Sequence, residues 1–166
     1  MKADVIIGID PDTVKSGVCY LEAVTRKIEA SALTFFQLYD YLKYVKENKG
    51  EKSILVVVEA GWLNRISNYH TKADRKGQRI SKNIGANHEV GKKTVEMCRQ
   101  LDLEVVEQKP LKKCWKGRYG KITQDEINEI LENLGTLPII RVNQDVRDAI
   151  LISIVYANLP IKIKAK

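Results

Sequence analysis

The chain has 166 residues, enough for one domain of ordinary size that buries roughly two-thirds of its unfolded surface around a hydrophobic core. Its formal net charge of +7 favours an anionic partner without identifying one. The three cysteines, Cys19, Cys98 and Cys114, are far apart and odd in number, which excludes a disulfide framework and a zinc pattern.

In chain order, residues 4–9 form a near-continuous apolar run that ends at Asp10 and Pro11, the pattern of a central strand buried on both faces. Residues 16–23 resume as a second strand and residues 28–34 as a third, joined by the turn Thr25-Arg26-Lys27, so the opening is an antiparallel meander. Residues 36–47 change period, with Leu38, Tyr41, Leu42 and Val45 on one helical face and Asn48-Lys49-Gly50 as the stop. Residues 53–58 form a buried-type strand that ends at Glu59. A strand reached through a helix lies parallel to an earlier one, so Asp10 and Glu59 are expected at neighbouring carboxyl ends. Residues 62–82 are basic and weakly periodic and are expected to be a loop with at most a turn of helix. A helical stripe runs from Ile84 to Leu101, a fifth strand covers 103–106, and 109–121 form a second basic loop. Thr123 and Glu126 make a capping box ahead of Ile127, Ile130, Leu131 and Leu134, and residues 137–142 hold a short extended piece. The last helix runs from Gln144 to about Asn158 with Asn143 as its N-cap. No linker or repeat divides the chain, which reads as one domain over 1–160 with a basic tail at 161–166. No secretory signal opens it and no apolar run approaches a membrane span, so the expected setting is the cytoplasm, or a host cell's interior for a phage protein.

Charge is unevenly placed along these elements. Residues 62–93, 108–121 and 161–166 carry blocks of +6, +6 and +3, leaving −8 for the rest of the chain. That remainder holds four acids in special positions. Asp10 and Glu59 each end an apolar strand, while Asp145 and Asp148, three apart, share one face of the first turn of the last helix. Open α/β sheets place their sites at such strand ends. Taken singly, Asp10 and Asp12 beside Pro11 also suit a turn, and Asp145 also suits a first helical turn. Taken together, four converging carboxylates repel one another unless cations resolve the charge. Hard oxygen donors suit Mg²⁺, with Mn²⁺ as a substitute, and two ions in one site form the clamp used for phosphodiester hydrolysis. The catalytic and metal-ligating candidates are therefore Asp10, Glu59, Asp145 and Asp148.

The same residues carry a resemblance. Ile7-Gly8-Ile9-Asp10-Pro11-Asp12-Thr13 with Ser16-Gly17-Val18, Glu59 after its strand, Asn83-Ile84-Gly85-Ala86-Asn87 with Gly91, Val106 to Lys113, and Asp145-Val146-Arg147-Asp148-Ala149 together resemble the RuvC-type Holliday junction resolvases of the ribonuclease-H-like superfamily. The resemblance covers nearly the whole chain. It implies an α/β, ribonuclease-H-like fold with a five-stranded mixed sheet flanked by helices. It also implies a homodimer joined through the helix starting near Ile84, and Mg²⁺-dependent paired nicking of four-way DNA junctions in recombination and repair.

On that picture, one group of nucleic-acid-binding candidates is Tyr69, Lys72, Arg75, Lys76, Arg79 and Lys82, along one edge of the site. The other is Lys109, Lys112, Lys113, Trp115, Lys116, Arg118 and Lys121, along a second edge. Phosphate contacts of this kind position a backbone without reading sequence. The aromatics Trp62, Tyr69, Trp115 and Tyr119 lie among the charges, where they suit stacking on exposed bases. Trp62 equally suits a cap on the core, and Trp115 is expected in solvent. His70 and His88 lack a metal pattern. The chain departs from the family between Trp62 and Lys82, where it is richer in charge and offers Tyr69 as the aromatic for a junction centre. Two other readings stand beside the resolvase. One is a ribonuclease-H-like nuclease on RNA–DNA hybrids or general branched DNA. The other is a non-catalytic junction-binding or structural protein, which would keep the basic loops and need no metals.

Overall fold

A computed structural model of the chain describes residues 3–64 and 75–161. Tyr69, His70 and Lys72, the side chains of Arg75 and Lys76, and the tail beyond Ile161 lie outside the described residues. Five strands are formed: β1 (Val5–Asp10), β2 (Ser16–Glu22), β3 (Ile28–Leu33), β4 (Ile54–Glu59) and β5 (Glu104–Gln108). They make one mixed sheet in the order β3-β2-β1-β4-β5. β1, β2 and β3 pair antiparallel, while β4 lies parallel to β1 and β5 parallel to β4. Four helices accompany the sheet: α1 (Phe35–Asn48), α2 (Arg75–Gln100), α3 (Gln124–Asn133) and α4 (Gln144–Tyr156). This is the five-stranded α/β architecture of the ribonuclease-H-like fold, and the order of elements follows the sequence reading.

The apolar runs of β1 and β4 arise because both sheet faces are covered. Successive side chains of a strand point to opposite faces. Val5, Ile7 and Ile9 of β1, with Ile54, Val56 and Val58 of β4, pack with Leu38 and Leu42 of α1 and Val95 and Cys98 of α2. The alternate residues Ile6 of β1 and Leu55 and Val57 of β4 pack with Ile152 of α4. The same alternation carries Asp10 and Glu59 to the α4 face.

Two glycines let α4 lie close against that face. A Cβ at Gly8 would fall 2.4 Å from the Ala149 carbonyl oxygen, and one at Gly17 would fall 2.0 Å from the Asp145 carbonyl oxygen. The contact is also polar: Gly8 N–H donates to Ser153 Oγ at 3.0 Å, and this buried hydroxyl lies within hydrogen-bond distance of the carbonyls of Cys19 and Ala149. Gly17 stands opposite Asp10 in the β1–β2 ladder, so the close approach occurs where the acids are.

Three helix starts are capped by side chains. Thr34 and Gln37 form a capping box for α1, Thr123 and Glu126 one for α3, and Asn143 accepts from the Val146 amide at α4. The box at α1 starts that helix at Phe35. Two expectations change. Residues 75–82, expected as loop, belong to α2, which runs 26 residues. The missed signal is Ile80, Ile84 and His88 at four-residue spacing, which extends the helical stripe backward across Gly85. The piece at 137–142 pairs with no strand; α3 side-chain amides hold it instead, with Ile139 N–H donating to Asn128 Oδ1 and Val142 N–H to Gln124 Oε1 at 3.1 Å each. Among the described residues, no helix is long and apolar enough to cross a membrane.

Candidate active site

Asp10 and Glu59 occupy adjacent positions at the carboxyl edge of the sheet. The last β1–β4 pair is Ile9 with Val58, and the two acids come next in register. Above them lies the start of α4, with Asp145 in its first turn and Asp148 three residues further on. All four carboxyls are at least half-buried, and each is held above its usual range. Burial is the first cause in every case. The other acids supply most of the rest at Asp10, which is raised well above normal by Glu59, Asp148 and Asp145 in turn. Glu59 is pushed up to about 7 by burial and by Asp148. At Asp145 burial is joined by Asp12 and Asp148. The four acids thus form one electrostatic unit at the edge of a low-dielectric core.

Basic side chains face that unit without neutralising it. Lys121 draws down the pKa of all four acids, and Lys113 that of Glu59 and Asp148. The loop that presents Lys121 is closed on itself: Trp115 N–H donates to the Gly120 carbonyl at 3.1 Å and Gly117 N–H to the Lys121 carbonyl at 3.0 Å. Tyr119 and Gly120 take positive φ of 59° and 71° to make the turn. The buried Glu126 carboxylate anchors the loop by accepting from the amides of Lys116 and Thr123 at 3.0 Å each.

A polar relay supports Asp148. Gln144 Nε2 donates to Asp148 Oδ1 at 2.8 Å, and Arg147 Nη2 donates to Gln144 Oε1 at 2.9 Å. The cation fixes which way the amide faces. Arg147 is itself held by the carbonyls of Ile122 and Val142, accepting from Nε and Nη1. Neither Gln144 nor Arg147 was singled out in the sequence; the carbonyls that hold Arg147 lie outside α4, at Ile122 and Val142. Only the position of Gln144 four residues before Asp148 hinted at a contact.

The remaining candidates divide. Asp12 makes an Asx turn, its Oδ1 accepting from Val14 N–H at 2.9 Å, while Asn87 of α2 donates to its Oδ2. Trp62 caps the core: its ring fits against Gly91, its Nε1 donates to Glu107 at 3.1 Å, and it meets His88 edge to face at 6.1 Å. Trp115, expected in solvent, is half-buried against the α3–α4 core. Lys109, Lys112, Lys113, Lys116 and Arg118 lie exposed and Lys121 half-buried on the second basic segment. Arg79 and Lys82 are exposed on α2. The ion pairs among the described residues engage Lys27, Lys43, Lys46, Lys52, Lys92, Lys93 and Arg99, and none involves a cation between Lys109 and Arg147.

The donor chemistry of the acids fits a hard divalent cation. Asp10, Glu59 and Asp145 are each raised by burial and by neighbouring acids and Asp148 by burial, and the carboxylate oxygens of all four suit Mg²⁺ or Mn²⁺. Among the described residues, however, no three His, Cys, Asp or Glu side chains are drawn together as a ligand set. The acids sense one another electrostatically without being closed up as ligands.

No family model matches the sequence, and no curated protein sequence matches it. The fold does find a counterpart. It is similar to T. thermophilus RuvC in complex with a Holliday junction substrate, with a TM-score of 0.55 and 92 % of each chain covered. Identity between the two is 12 %, so the likeness defines a shared ribonuclease-H-like fold.

Proposed function

We propose that the chain is a metal-dependent endonuclease of branched DNA, with four-way junctions as its preferred substrate, and that Asp10, Glu59, Asp145 and Asp148 are its catalytic and metal-holding residues. The observation that carries this reading is the convergence of two strand-end acids and two first-turn acids on one face of the sheet, beside cations that have no carboxylate partner. A merely structural protein gains nothing from burying acids that repel. The counterpart of the fold, RuvC in complex with a Holliday junction substrate, supports the choice of substrate.

Mg²⁺ held by these four carboxylates supplies charge neutralisation and Lewis acidity to phosphodiester hydrolysis. The chain's own contribution is arrangement. The sheet edge fixes Asp10 and Glu59 on adjacent strands. Gly17 lets α4 bring Asp145 and Asp148 onto the same face, and Gln144 holds the Asp148 carboxylate in one orientation. Lys113 and Lys121 attract the phosphate backbone to an acidic centre that would otherwise repel it. Lys109, Lys112, Lys116 and Arg118 extend that attraction along the second basic segment, and Arg79 and Lys82 along α2; Tyr69, Lys72, Arg75 and Lys76 are proposed as further nucleic-acid contacts on the sequence reading alone.

Assembly belongs to the same proposal. Burial on the carboxyl-terminal part of α2 includes Gly91, Thr94, Val95, Met97 and Cys98, whereas residues 78–89 are exposed or half-buried. We assign this open stretch to a two-fold interface, which would present two sites to two strands.

The substrate claim is tested by nicking assays on a four-way junction, linear duplex, flap and RNA–DNA hybrid in Mg²⁺. Paired nicks in the junction with little cutting of linear duplex are expected. Equal cutting of linear duplex overturns junction preference, and preferential cutting of the hybrid substitutes a ribonuclease H activity.

A further inference from the structure

A cavity of about 530 Å³ opens between the 117–121 loop, the start of α3 and the start of α4; none of the four acids lines it, but Gln144, which donates to Asp148, does. Its volume is within the range of small-ligand sites. Arg118, Lys121, Arg141 and Arg147 line it, with Asp125 as the acid of its wall and Gln144 between the cavity and Asp148. None of the four cations forms an ion pair among the described residues. Arg147 is the built element. Its guanidinium is fixed by three neutral acceptors, the carbonyls of Ile122 and Val142 and the Gln144 side chain. Those bonds use one N–H from each nitrogen. A guanidinium has five, so two remain, and its charge is not cancelled by the groups that orient it. A preorganised cation of this kind favours a phosphate, because little ordering is left to be done on binding. Arg118 and Arg141 are exposed at the cavity rim, Arg118 donating to the Tyr119 hydroxyl at 2.8 Å and lying 4.7 Å over the Tyr119 ring. Gln144 joins the cavity to the four acids, since it lines the one and donates to Asp148 of the other at 2.8 Å.

We propose that this cavity is a phosphate subsite for the nucleic-acid strand being cut, holding a backbone phosphodiester next to the scissile one on Arg141, Arg147 and Arg118. The placement next to the scissile bond rests on the nuclease reading; the presence of a phosphate site does not. The subsite would fix the register of the strand over the acids without reading its bases.

The test measures binding in chelator, where cutting is absent. Four-way junctions carrying a single neutral methylphosphonate at successive positions around the cut are bound to the wild-type chain, to Arg141→Gln and to Arg147→Gln. The expected result has three parts. One flanking position weakens wild-type binding. The same position has no effect in Arg141→Gln. The slope of log affinity against log salt becomes shallower by about 0.7–0.9 in that variant, as for one phosphate fewer neutralised. Arg141→Gln keeps the test independent of folding, since Arg141 is exposed and supports no other residue in the hydrogen bonds found. Lys49→Gln, a substitution at the opposite end of the sheet, should leave the slope unchanged. Uniform weakening with no position coupled to Arg141 overturns the subsite, as does an unchanged salt slope. Saturable binding of a free nucleoside monophosphate, abolished in Arg141→Gln without any positional coupling in the junction, also overturns it and makes the cavity a mononucleotide site. Because all these readouts are of binding, a chain that fails to nick any DNA can still pass or fail them.

Discussion

The chemistry of single residues makes the first prediction, and it concerns pH. Glu59, ordinarily near 4.5, is pushed up to about 7 in the folded chain, and Asp10 is raised as well, by burial and by the neighbouring acids. A carboxyl whose folded pKa exceeds its unfolded one adds stability below the unfolded value, and that addition is lost as pH rises through the folded value. In chelator, the melting temperature should therefore fall between about pH 4.5 and 7, and Mg²⁺ should restore more of it at pH 8 than at pH 5. Asp10→Asn removes one repelling charge, so this variant should melt higher than the wild type at pH 8 in chelator and gain less from Mg²⁺. A melting temperature that is flat across the window, with no advantage to Asp10→Asn, would show that the acids do not strain the fold. A second prediction concerns Gln144. Gln144→Ala should slow cleavage roughly 10- to 100-fold, the usual effect of removing a partner that orients a metal ligand. Junction affinity in chelator should stay unchanged; equal losses in both would make Gln144 a binding residue. The four acids were legible in the sequence because each interrupts an apolar pattern. Gln144 and Arg147 were not: the role of Gln144 depends on Arg147 fixing its amide, and Arg147 in turn is held by the carbonyls of Ile122 and Val142. Trp62 was ambiguous for the same reason: whether it caps a core or meets DNA depends on Gly91 and Glu107.

At the scale of elements, the decisive contact is α4 on the β1–β2 hairpin. The strand alternation that faces Asp10 and Glu59 toward α4 can be read from the sequence, and so can the spacing of Asp145 and Asp148. The closeness of the helix cannot. It depends on Gly8 and Gly17, whose missing side chains make room for the Ala149 and Asp145 backbone. Gly17→Ala must lift the first turn of α4. We expect a stability loss of about 1–3 kcal/mol, as for overpacking elsewhere. Cleavage should fall further than binding, because two of the four acids move with the turn. Denaturant melts and nicking rates would check this, and a variant with wild-type midpoint and rate would contradict it. The extension of α2 back to Arg75 was obscured by its charge: a polar, basic stretch reads as loop when only one or two apolar residues mark each turn. The ordered basic loop at 115–121 was equally hidden, since its closure depends on backbone bonds and on positive φ at Tyr119 and Gly120.

At the scale of the molecule, Lys113 and Lys121 face the acidic centre from a basic segment, 109–121, whose cations form no ion pair among the described residues. If that segment holds a phosphate backbone, Lys112→Gln with Lys113→Gln should weaken junction binding for every sequence and lower the salt slope by roughly 0.9 for each phosphate these lysines neutralise. An unchanged slope would remove those lysines from the interface. Element order gave the opening meander and the parallel fourth strand, and the family resemblance implied the five-stranded mixed sheet flanked by helices that the structure shows. The substrate did not, because many activities share one fold and the specificity lies in the groups around the site. The central claim is that Asp10, Glu59, Asp145 and Asp148 act together to hold metal and hydrolyse a phosphodiester. Its most direct test is the rate of four-way junction nicking in Mg²⁺ for the wild type and for Asp10→Asn, Glu59→Gln, Asp145→Asn and Asp148→Asn, each paired with junction binding in chelator. The account predicts nicking by the wild type that chelator abolishes, and loss of nicking with retained binding in all four variants. Binding without nicking in the wild type, in either Mg²⁺ or Mn²⁺, or full activity in any one variant, would contradict it.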